Sequence, residues 1–283
     1  MAGLRVAGRA AVTAVTVAWA AACGSGSSDI TEPSPSPTPG PGGGDVVFPL
    51  SVAPSGRFLV DQAGTPFFVN GDTPWSLTHN LTYDEAVRYM ENRRAKGINA
   101  LIVSVPDAYG PDGSANDPPD RQGNRPFLGN DITQPDEAYW QHVDRVVAKS
   151  EELDFLVLFF PAYLGCCRDG YVGLFQANGP SRAYEYGRFV GQRYAERRNL
   201  IWVHGGDRNP GGARDVVIAV RDGIRDVGRA GLHATHWSPE TDPWGPLGED
   251  STALYTTYTY GPVARTVATH SAHLPSKPVV RVV

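Results

Sequence analysis

The segment NLIWVHGGDRNP, residues 199–210, runs an apolar stretch into His204, a glycine pair and Asp207. A carboxyl group can protonate a departing oxygen or take a proton from water. Gly205 and Gly206 allow backbone angles and close approaches denied to other residues, so the chain can turn sharply and project Asp207 into a cleft. The following RNPGG delays a helix and leaves the carboxylate in a loop, although a plain turn aspartate satisfies the same pattern.

Other chemically capable residues recur just after apolar runs: Asp72 and Trp75, Asp107 and Tyr109, Tyr163, His236 and Trp237, Tyr258 and Tyr260. Gathered around one hollow they would suit a sugar, because aromatic rings cover its C–H faces while carboxylates and imidazoles bond its hydroxyls. Each also has a simpler reading. Asp72 in GDTPW can cap a helix, Asp107 can form a turn, Trp75 and Trp237 can be packing residues, and His204 and His236 can be satisfied core groups. Tyr258 and Tyr260, two apart on a strand, face the same way. Asp72, His204, Asp207 and His236 would be the ligands of a metal-dependent hydrolase, but no H-x-H pair follows the first strand. Neither a metal nor a cofactor is expected.

The elements that must position these groups alternate between apolar strands and amphipathic helices. Strands are expected at 66–72, 98–105, 154–161, 199–204, 232–237, 253–260 and from 277 onward. Helices are expected from Thr82, as N-cap, to Gly97, over 136–153, over 181–198 and over 213–228. Continuous apolar strands followed by helices imply a parallel sheet covered by helices. The first strand ends in NGDTPW, without the G-x-G-x-x-G of a dinucleotide fold, whereas chemical groups at successive strand ends fit a (β/α)8 TIM barrel. The long polar loop 106–135 reads as functional.

The 283 residues are 41% hydrophobic and 19% charged, enough for one large core. Arg5 and Arg9 precede an apolar run ending at Cys23, which reads as a signal peptide over 1–22. Cleavage before Cys23 would make it a lipidated terminal cysteine and membrane anchor, with plain secretion as the other reading, since Ala20 stands where leucine is usual. Residues 23–45, rich in Gly, Ser and Pro, form an extended linker, and the folded domain spans 46–283. Without 1–22 the chain has 23 basic and 30 acidic residues, which argues against nucleic acid as a partner. Cys166 and Cys167 are adjacent, so they cannot form a disulfide framework.

Four stretches, GRFLVDQAGTPFFVNGDTPWSL, YMENRRAKGINALIVSV, FPAYLG and NLIWVHGGDRNP, together resemble the bacterial apiosidase-like family, from about residue 50 to the C-terminus. The resemblance implies a (β/α)8 glycoside hydrolase acting on plant cell-wall polysaccharide side chains, with Asp207 as acid/base. It also implies a second carboxylate, a glutamate a few residues after K-P-V in the seventh strand. Here KPVVRVV ends at Val283, before that position, and seven strands do not close an eight-stranded barrel. The expectation is therefore an incomplete barrel from a truncated gene product or fragment, insoluble or inactive on glycosides. Glu240 and Glu249 read as solvated turn residues rather than substitutes. The competing function is a non-catalytic carbohydrate-binding surface lipoprotein.

Overall fold

A computed structural model describes residues 46–107, 118–163, 165, 171–227 and 231–282. The expected signal peptide, the linker, Cys23, Tyr109, Cys166 and Cys167 lie outside the described residues.

Two sheets are present. β1 (Ser51–Val52), β2 (Leu59–Val60) and β3 (Pro66–Phe67) form a small antiparallel meander. β4 (Gly71–Asp72), β5 (Ala100–Ser104), β6 (Leu156–Phe160), β7 (Leu200–Gly205), β8 (Leu232–His236), β9 (Leu254–Thr257) and β10 (Val279–Arg281) form a second sheet in sequence order, every neighbouring pair parallel. The connections run through α1 (Tyr83–Ala95), α2 (Glu137–Glu152), α3 (Val172–Arg193), α4 (Arg214–Val227) and α5 (Val263–Ala272). This is the seven-strand pattern of an incomplete (β/α)8 barrel. Among the described residues β4 and β10 are its two edges, and a hollow of about 230 Å³ between them is lined by Gly71, Asp72, Ile102, Leu158, Val280 and Val282.

Strand side chains divide by parity into two cores, because successive residues point to opposite faces. Leu101, Val103, Val157, Phe159 and Trp202 pack with helix residues such as Trp140, Tyr186 and Val220. Ala100, Ile102, Leu156, Leu158, Ile201, Val203 and Ala234 pack instead in the lumen, together with Phe48, Leu50, Leu59 and Phe67 from the meander region. The meander residues thus pack into the lumen-side core together with the strand residues.

Several expected elements are corrected. The run 66–72 is two strands, because Phe68 turns outward and is 82% exposed. Asn99 holds the break: its amide donates to the Phe68 carbonyl and its oxygen accepts from the Asn70 N–H. The third helix begins at Val172 rather than 181, with a kink at Gly179–Pro180 that reads as a turn in the sequence. α5 gives no strong periodic signal because His270 is its only buried residue. The link from β8 to β9 carries only a 3₁₀ turn at Glu249–Ser251. α1 forms as expected, closed by a capping box in which Thr82 and Glu85 bond each other's backbone N–H.

α3 and α4 pack closely because glycines face each other's backbone. A Cβ on Gly223 would stand 2.2 Å from the Tyr184 carbonyl oxygen, and one on Gly187 2.3 Å from that of Val220. Gly223→Ala is therefore expected to lower stability by about 1–3 kcal/mol through overpacking, against the gain of nearly 1 kcal/mol that alanine brings to a helix. Urea denaturation measures this, and a variant as stable as the parent would contradict the close approach.

Candidate active site

β7 ends at the double glycine, and the geometry there is permissive for no other residue. Gly205 has φ 115°, and a Cβ on it would lie 2.1 Å from the His236 carbonyl oxygen and 2.7 Å from the Trp237 ring. Gly206 N–H donates to that same carbonyl, at 2.9 Å. Pressed against the end of β8, the chain turns Asp207 back so that its Oδ1 meets His236 Nε2 at 2.8 Å. The carboxylate side chain keeps 17% of its surface exposed while the imidazole keeps 1%.

His236 shares the parity of Ala234 and faces the lumen, where aromatic rings enclose it. Tyr258, continuing β9, stacks on it at 5.0 Å and 21°, Phe160 meets it edge-on at 5.7 Å, and Trp75 lies 6.2 Å away. Tyr163 packs on Trp75 at 5.0 Å and bridges to the backbone of Gly205. The Trp75 carbonyl accepts from both the backbone N–H and the hydroxyl of Ser104, which fixes the loop after β4 to the end of β5. Five expected residues thus come together: Trp75, Tyr163, Asp207, His236 and Tyr258. Phe160 joins them. In the sequence it reads as one more apolar strand residue, and only its parity with Leu158 reveals a lumen-facing position.

The remaining expected residues lie elsewhere, for stated reasons. His204 is one residue out of phase with Val203 and faces the helices, where its Nε2 bonds His233 Nδ1 at 2.8 Å. Burial first, and then the neighbouring histidine, hold His204 well below the usual histidine range. Trp237 follows the lumen-facing His236 and so belongs to the helix-side core, its indole N–H donating to the Pro243 carbonyl at 3.0 Å. Asp72 is drawn to α1, accepting from the Tyr89 hydroxyl at 2.7 Å and from Arg93. Burial opposes its charge, but bonds from Tyr89, the Thr73 amide and Arg93 keep its carboxyl below the usual range. Asp107 follows the cis Val105–Pro106 peptide, is 1% exposed, and lies within electrostatic reach of the Tyr139 phenol on α2.

The four residues of the metal-hydrolase alternative are accordingly dispersed, with only Asp207 and His236 adjacent. Glu240 and Glu249 are not loosely solvated either. Glu249 accepts from Tyr255 and Lys277, at 2.5 Å each, and meets His273 Nε2 at 3.0 Å. Although burial works against its charge, Lys277 and Tyr255 hold its pKa below the usual range.

A carboxylate and four aromatic side chains converge at the C-terminal rim of a parallel β/α sheet, where (β/α)8 barrels build their active sites. Residues 53–282 match the apiosidase-like catalytic domain, and the chain belongs to that family. No curated protein sequence matches it significantly. Among solved structures, it resembles a glycoside hydrolase family 5 protein from Bacteroides vulgatus at TM-score 0.68 and 22% identity, over 82% of this chain and 52% of that one. A further protein described as a glycoside hydrolase aligns at TM-score 0.64 and 22% identity, over 82% and 55% of the two chains. A family 5 mannosidase from Rhizomucor miehei aligns at 0.55 and 13% identity, over 76% and 62%. The chain thus spans roughly half the length of the first two.

The His204–His233 pair gives the fold a pH dependence. Both imidazoles are held neutral, His233 by burial first and then by Arg225 and Arg221, to a pKa of about 3. The unfolded chain binds protons below about pH 6.5 that the folded chain refuses, so their contribution is complete above that pH and is lost on descending towards about 3. Denaturant midpoints are expected to fall with pH below about 6.5, less steeply in His233→Leu, and parallel curves for the two proteins would contradict this assignment.

Proposed function

We propose that this domain is a glycoside hydrolase that cleaves plant cell-wall polysaccharide side chains, with Asp207 as acid/base. The observation that carries the reading is the Asp207–His236 hydrogen bond at the mouth of an aromatic-lined lumen. Glycosidic cleavage needs one carboxyl to protonate the departing oxygen and a second to attack the sugar or activate water. With Oδ1 held by His236, Oδ2 is the oxygen left to carry that proton. Trp75, the partly exposed ring of the cluster, supplies an apolar face against which a sugar can lie, backed by the buried rings of Tyr163 and Tyr258. The second carboxylate is the glutamate that the family resemblance puts after β10, whose parallel pairing with β9 would deliver it to the same rim.

A non-catalytic carbohydrate-binding role is the second reading, favoured by the engagement of the other acidic groups considered: Asp72 bonds α1, while Glu240 and Glu249 accept from several donors. In either case the domain is exported and anchored to the membrane through a lipid on Cys23, or secreted.

Calorimetry with a pectic oligosaccharide is expected to show binding that Trp75→Ala weakens by about tenfold, the effect of roughly 1.4 kcal/mol. Lack of binding would overturn the sugar cleft. Hydrolysis should require a glutamate after β10 and fall about 10²- to 10⁴-fold in Asp207→Asn. Turnover by the 283-residue chain alone would overturn the placement of the second carboxylate and, with it, the non-catalytic reading. Cys23→Ser is expected to abolish incorporation of labelled fatty acid, and unchanged labelling would overturn the anchor.

A further inference from the structure

Glu240 sits in the loop after β8 with φ 64°, the left-handed region that a residue bearing a side chain seldom adopts. Such conformations persist where the surroundings over-determine them, and here they do. The Glu240 N–H donates to the Tyr258 carbonyl at 3.0 Å. Its carboxylate accepts from the Thr259 hydroxyl at 2.7 and 2.9 Å, from the Tyr260 N–H at 2.9 Å and from the Gly261 N–H at 3.2 Å. One side chain therefore clamps the whole turn that follows β9. The Thr259 hydroxyl, and then the two amides, hold its carboxyl below the usual range, so the clamp is charged at neutral pH.

The clamp holds Tyr260, whose ring is 80% exposed. An exposed aromatic ring at a loop tip ordinarily keeps its rotamer freedom. This one is fixed at both ends, through its backbone N–H on Glu240 and through its hydroxyl, which bonds the Tyr258 hydroxyl at 2.6 Å. The two rings lie 5.4 Å apart and nearly perpendicular, and Tyr258 stacks in turn on His236, the partner of Asp207. An exposed aromatic ring held from two sides thus stands beside the buried Tyr258–His236 stack. An immobilised ring binds without the ordering cost that a free one incurs.

Building on the sugar-cleft reading, the geometry points to Tyr260, held by Glu240, as an outer subsite that stacks on the sugar unit adjoining the one in the cleft. Its ligand is a neighbouring residue of the same glycan, since the ring stands beside the Tyr258–His236 stack and carries ring carbon rather than charge. Tyr260 would make the domain prefer oligosaccharides to single sugars. Glu240 acts as a positioning residue for it.

The test compares the affinity of a pectic oligosaccharide with that of its constituent monosaccharides by calorimetry. Tyr260→Ala is expected to narrow that gap by about three- to tenfold, the range of a single aromatic contact, while Tyr260→Trp retains it. Glu240→Gln is expected to narrow it in the same direction. A gap unchanged in Tyr260→Ala, or closed equally by Tyr260→Trp, would overturn the subsite. An unchanged gap in Glu240→Gln would overturn the role of the clamp. If the parent protein binds neither probe, the cleft itself fails and the subsite with it. Binding of both probes with equal affinity would overturn the subsite alone.

Discussion

The hydrogen bond between Asp207 and His236 joins the ends of two adjacent strands, and it depends on a backbone approach that only glycine permits. Any side chain at residue 205 would strike the His236 carbonyl oxygen. With that contact open, the Gly206 amide satisfies the same carbonyl and the next residue is turned towards the imidazole. The site follows from this one contact: the end of β7 supplies a carboxylate, β8 the imidazole that bonds it, and β9 and β6 the rings that enclose that imidazole.

Strand parity then sorts every other side chain. Lumen-facing residues belong to the core that the meander residues join, while their sequence neighbours belong to the helix layer. Each strand ending therefore carries two kinds of residue side by side. His236 serves the cleft and Trp237 the helices; Val203 lines the lumen and His204 bonds His233 outside it. Substitutions at adjacent positions can accordingly have unrelated consequences, one on binding and one on stability.

The loops after β8 and β9 add rigidity at the rim. Glu240 ties them together through its carboxylate and its own N–H, while at the opposite end of the strands Glu249 ties the chain entering β9 to Lys277 at the entry to β10. Both glutamates accept bonds from several donors, which suits structural anchoring better than proton transfer. The hollow between β4 and β10 is bordered by both edge strands.

Much of this was legible from residue order. Apolar runs of strand length, the Thr82–Glu85 capping box, and the glycines before Asp207 are local signals with local causes, and they sufficed for a parallel barrel with an acid at the fourth strand's end. The side on which a residue falls was not legible, because a one-residue difference in phase moves a side chain to the other face and strand ends cannot be placed that finely from composition. That is why His204 and Trp237 read as cleft residues and Phe160 as core. Asp72 was equally opaque, since Tyr89 and Arg93, which capture it, lie a helix away in sequence. Local chemistry determined which elements form; only the packing of one strand end against the next decided which of their side chains meet.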